Sequence, residues 1–166
     1  MFREMCRSAQ QLSDEETVAI LKKATSGVLA LAEGDEGYPY AVPLSHFYQD
    51  GKLYFHCAVE GHKLDAVRRN EKASFCVISE DEVVPETFST RYRSVIAFGR
   101  VRIMEDGPEK YAALRALGLH FAPGDDAGCE AEIKGAAGRV CMLEMTIDHL
   151  TGKEARSLMQ ERRAKQ

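Results

Sequence analysis

The dipeptide Asp50-Gly51 constrains this chain most. It separates two apolar runs, "YAVPLSHFYQ" over 40–49 and "KLYFHC" over 52–57. Asp-Gly between such runs is a strong signal for a tight β-hairpin, because both turn positions take a positive φ. A hairpin joins antiparallel neighbours, whereas parallel strands need a long crossover. The other apolar runs succeed one another in the same way. "VLALAE", 28–33, comes before the hairpin across the turn "GDEGYP". "ASFCVISE", 73–80, and "SVIAFGRVRIME", 94–105, follow it, separated by "EDEVVPETFSTRY", which reads as a loop. Gly99 within the long strand signals a bulge or a close backbone approach. "VCMLEMTIDHLTGKE" is the last strand. Six strands in this succession, with three or four helices, predict an α+β fold that is mainly antiparallel, as a sheet or a barrel.

The helices carry their own signals. Ser13 and Glu16 form a capping box ahead of Val18, Ile20 and Leu21. A second helix is expected from about Gly61 to Asn70, with Leu64, Ala66 and Val67 on its apolar side. A third starts near Pro108, where proline suits the first turn. "GDDAGCEAEIKGAAG" predicts a short fourth. With no repeat or linker, residues 1–154 read as one domain, and 155–166 as a frayed basic tail.

The totals narrow the function. A chain of 166 residues can bury a core without disulfides. Five cysteines, an odd number without a C-x-x-C pair, argue against a disulfide framework and a zinc knuckle. A net charge of −4 offers no general field for nucleic acid. No apolar run approaches the ~18 residues of a membrane span, and the N-terminus is polar and charged, so a cytoplasmic location is expected. G-x-G-x-x-G, Walker, H-E-x-x-H and G-x-S-x-G motifs do not occur.

One short stretch concentrates chemistry. "FHCAVEGHKLDAVRR", 55–69, turns from strand to helix and gathers His56, Cys57, Gly61, His62 and Lys63. A helix start presents free N–H groups and partial positive charge, and Lys63 adds a full charge, which together suit an anion. A shared metal ion is disfavoured, since adjacent strand residues His56 and Cys57 point to opposite faces. A nucleophilic Cys57 lacks a visible third partner. The plain alternative is a buried small cysteine beside a solvated helix start.

The order of "GVLAL", "GYPYAVPLSHFY", "LYFHCAVEGHK", "SVIAFG" and "LTGKEA" resembles the flavin-binding split-barrel proteins related to pyridoxamine 5′-phosphate oxidase, in particular the branch of 5-nitroimidazole resistance proteins. The resemblance implies a split β-barrel with peripheral helices, a homodimer, and FMN in clefts between the subunits. By that likeness Tyr40, Ala41, Val42, Pro43 and Leu44 line the isoalloxazine ring and Ser45 reaches its polar edge. His56, Cys57, Ala58, Gly61, His62 and Lys63 wrap the phosphate, with Lys63 carrying the charge and His62 standing where relatives have arginine. Ser94 and Val95 approach from the opposing subunit, and His46 is the candidate substrate-facing group. "LTGKEA" stands where true oxidases grip pyridoxal phosphate, so vitamin B6 oxidation is not expected. The implied activity is FMN-dependent reduction of a small aromatic or nitro compound. A flavin carrier or redox sensor, and a split barrel binding haem or a deazaflavin, are the rivals.

Overall fold

The computed structural model describes residues 2–32 and 37–164. Among these, seven strands form one antiparallel sheet: β1 (Ser26–Leu31), β2 (Tyr40–Ser45), β3 (Phe47–Gln49), β4 (Lys52–Ala58), β5 (Lys72–Val84), β6 (Ser89–Ile103) and β7 (Val140–Glu154). Their spatial order is β2-β1-β5-β6-β7-β4-β3. Five helices flank the sheet: α1 (Asp14–Lys23), α2 (His62–Arg69), α3 (Pro108–Phe121), α4 (Asp126–Gly135) and α5 (Arg156–Ala164). The α+β, antiparallel expectation therefore holds. No helix among the described residues is long and apolar enough to cross a membrane.

Asp50 and Gly51 both take positive φ, +48° and +79°, and close the β3–β4 hairpin. The run expected as one strand over 40–49 breaks at His46 into β2 and β3. These two strands are the opposite edges of the sheet, yet one residue separates them. The sheet must therefore curl until its edges meet at that corner. Gly99 is where β6 and β7 slip register, between Phe98 and Gly99. A Cβ there would collide with the Thr146 carbonyl, so the close approach needs glycine.

The segment expected as a loop over 80–92 is instead the end of a long hairpin. β5 runs on to Val84 and β6 begins at Ser89. Glu80 faces Arg93, and Glu82 faces Arg91, as direct cross-strand partners. Their ion pairs, at 3.3 and 3.4 Å, support rungs that apolar periodicity does not reveal. The turn expected over "GDEGYP" and the end of the first expected strand fall partly on 33–36, outside the described residues.

The core fills the inside of the curl with Leu29, Leu31, Leu53, Phe55, Phe75, Val95 and Leu143, all essentially inaccessible. Leu21 of α1 and Leu64, Ala66 and Val67 of α2 close it. The α1 capping box forms as expected, with Ser13 Oγ accepting from the Glu16 N–H and Glu16 Oε2 from the Ser13 N–H.

The basic tail differs from the frayed end expected. Residues 156–164 form α5, with Leu158 and Met159 buried. Its anchor is Glu154, fully buried at the end of β7. Arg162 Nε donates to Glu154 Oε1 at 2.8 Å, and Arg93 lies 3.5 Å from the other oxygen. A buried carboxylate needs such cations, and the helix supplies one of them. Arg162→Ala is expected to cost about 1.5–3 kcal/mol, the scale of a charged hydrogen bond, read as a lower urea midpoint.

Candidate functional site

β4 ends at Ala58, and α2 begins at His62 after three intervening residues. Gly61, the N-cap, has φ +128°, a conformation side chains rarely adopt, so glycine sets the angle at which α2 leaves the sheet. The buried face of Leu64, Ala66 and Val67 fixes the helix on the core. No side chain caps its first turn. The Lys63 N–H has no hydrogen-bond partner among the described residues, and the helix start adds partial positive charge there, which suits an anion. Lys63 lies half-buried there, without a hydrogen bond or ion pair among the described residues. The rings of Tyr40 and His62 meet with centroids 4.1 Å apart, so the start of β2 and the start of α2 share one corner.

β2 alternates as its period demands. Tyr40, Val42 and Leu44 pack against the core, while Ala41, Pro43 and Ser45 face outward. Pro43 sits on an edge strand, where a missing N–H costs no ladder bond, and pairs in register with Val28.

His56 and Cys57 point to opposite faces, as strand alternation requires, with His56 exposed and Cys57 buried. Burial pushes the Cys57 thiol up to about 11, with the nearby Lys63 charge opposing. A protonated, buried thiol is a poor nucleophile, so Cys57 packs as a small apolar group. No cluster of three or more metal-ligating side chains occurs among the described residues. His56 departs from its expected place at the phosphate corner: its side chain lines a cleft beneath α3 and α4, on the face away from Cys57. Val95 is fully buried, so its side chain cannot reach a ligand from another subunit. Ser94, half-exposed, lines a shallow depression with Cys76, Ile78 and Tyr92.

His46, the expected substrate-facing group, is fully buried. Its Nε2–H donates to the Leu21 carbonyl at 2.9 Å, one of the α1 carbonyls left without a helical partner. Its ring packs edge-on against Phe75. It is a structural histidine that closes the end of α1.

Sequence reading passed over the outer sheet face. Val28, Cys76 and Ile96 stand side by side on β1, β5 and β6, and Ala30, Ser74 and Phe98 form the next row. Val28, Ile78, Ile96 and Phe98 are exposed. The signal was present in "VLAL", "SFCVI" and "SVIAF": runs apolar at successive positions, which mark strands with both faces covered. The face continues onto outward Pro43 and Ala41 of β2.

Residues 13–154 match the family model described as pyridoxamine 5′-phosphate oxidase, and the chain belongs to that family. No curated protein matches it. Among solved structures, an FAD- and haem-binding protein from Mycobacterium smegmatis is 25% identical, with a TM-score of 0.75 over 89% of this chain and 74% of the other. An FAD-binding protein from Mesorhizobium loti is also 25% identical, with a TM-score of 0.63 over 87% and 96%. A Bacteroides thetaiotaomicron protein described as a candidate 5-nitroimidazole antibiotic resistance protein shares the fold, at 24% identity and a TM-score of 0.69 over 87% and 86%.

The His46 contact has a pH signature. Burial holds its pKa below the ordinary 6.5. Below that value the unfolded chain takes up a proton that the folded one resists, so stability falls as pH drops from 6.5 towards the folded pKa. Urea midpoints are expected to decline from pH 7 to pH 5, with a smaller decline in His46→Gln.

Proposed function

We propose that this protein binds FMN at the α2 corner and along β2, as a homodimer, and that it serves the reduction of small aromatic or nitro compounds. The observation that carries the reading is Lys63: a half-buried cation at an uncapped helix start, with no carboxylate against it among the described residues. A terminal phosphate dianion complements both the Lys63 charge and the partial positive charge of the helix start. The family match and the flavin-binding relatives support a flavin as the bearer of that phosphate.

The chain's own residues fit the rest of such a group. Gly61 aims the helix start, and Lys63 holds the phosphate. Outward Ala41 and Pro43 leave a low, apolar strip on which a flat ring can lie, and Ser45 offers a hydroxyl at its end. A second copy seated on the outer rows through Val28, Ile96 and Phe98 would cover the exposed apolar face and place the seam beside β2. Water would be excluded from one side of the ring. When bound, the flavin supplies electron transfer to small acceptors. Without a cation recognisable at 150–155 for a second phosphate beyond Lys153, a B6 phosphate ester is not the acceptor favoured here.

The test is direct. Mass spectrometry of the small molecule released from purified protein is expected to find FMN; a protein that stays colourless after incubation with FMN overturns the reading. Lys63→Ala should weaken FMN binding about tenfold to a hundredfold, the scale of a charge-assisted hydrogen bond, while Lys63→Arg retains most of it. Light scattering should give about twice the 18.5 kDa chain mass. Stopped-flow reoxidation by nitroaromatics faster than by oxygen separates a reductase from a flavin carrier.

A further inference from the structure

α3 and α4 pack tightly at Gly118 and Cys129, where an added Cβ would lie 2.6 Å from the Cys129 sulfur. Around that contact the two helices, β4 and the start of β7 enclose a cleft of about 420 Å³. That size falls within the range of small-molecule sites, roughly 300–1,000 Å³. The cleft is on the His56 side of β4, the face opposite Cys57, and so is separate from the Lys63 corner. Leu117, Phe121 and Ile133 make its walls apolar.

Its polar side chains are few. Asp125 is already engaged, capping α4 by accepting the Gly128 N–H at 2.9 Å. His56 and Glu132 have no hydrogen bond or ion pair among the described residues, and each retains its full capacity for a ligand. No lysine or arginine lines the cleft. An anionic ligand would lose its hydration there and meet carboxylates, whereas a neutral or cationic one would not.

We propose that this cleft binds a small heteroaromatic molecule carrying a ring N–H or a basic nitrogen. Its ring lies among Leu117, Phe121 and Ile133. Glu132 accepts the hydrogen bond from its nitrogen, and His56 meets a polar atom at the other end. The site stands on its own residues and does not depend on the flavin reading.

Isothermal titration of the full-length protein with benzimidazole, and with benzoate as its anionic counterpart, tests this. Benzimidazole is expected to bind and benzoate to show no heat. Glu132→Gln, a surface change that spares the fold, should weaken benzimidazole about tenfold by removing a charge-assisted acceptor. Ala136→Trp should abolish binding by filling the cleft, with thermal melting as the check on folding. Lys63→Ala should leave benzimidazole affinity unchanged. The proposal is overturned if benzimidazole does not bind, if benzoate binds as well, if Glu132→Gln has no effect, or if Lys63→Ala removes binding.

Discussion

One hydrogen bond holds the place where this fold closes. The sheet's two edges, β2 and β3, are joined by His46 alone, so the curl of the whole sheet is fixed at that residue. Its side chain turns inward and donates to the last turn of α1 at Leu21, while its backbone N–H reaches the Thr25 carbonyl at 3.3 Å. α1 and both sheet edges are thereby tied to one point. The position of β2, and with it the outward strip of Ala41, Pro43 and Ser45, follows from that closure.

The corner at Gly61 depends on the same closure from the other side. The contact of Tyr40 with His62 exists only because the curled sheet brings the first residue of β2 to the first residue of α2. A segment rich in reactive side chains is then sorted by strand geometry. Cys57 goes inward and loses its reactivity to burial, His56 goes outward to a different cleft, and Lys63 remains at the helix start with no carboxylate paired to it among the described residues. The concentration of histidine, cysteine and lysine in sequence is thus not one site in space.

Legibility tracked the range of the determining interactions. Asp50-Gly51, the Ser13–Glu16 box and Gly99 were readable because local backbone demands fix them. The extended β5–β6 hairpin was not, since its rungs are ion pairs such as Glu80–Arg93 that mimic a polar loop. α5 was missed for a related reason: its anchor, Glu154, is buried only in the folded chain. His46 showed the limit most clearly. A histidine in a strand carries no mark of whether it meets solvent or a helix carbonyl, and only the break in β2–β3 decides it. The helix start with Lys63 pointed to an anion from the residues alone, and the family likeness named it as the phosphate of FMN. Strand alternation turns the His56 side chain outward and the Val95 side chain into the core.

The long β5–β6 hairpin has one further consequence. Among the described residues β1 pairs with β5 from Ala73 to Cys76, and no second strand flanks the remainder of β5, which is there an edge. Such an edge invites additional strands and aggregation. Here it carries Glu80, Asp81 and Glu82 in succession. A neighbouring chain that tried to extend the sheet would have to strip water from three carboxylates. The acidic run that disguised the strand in the sequence also keeps the sheet finite.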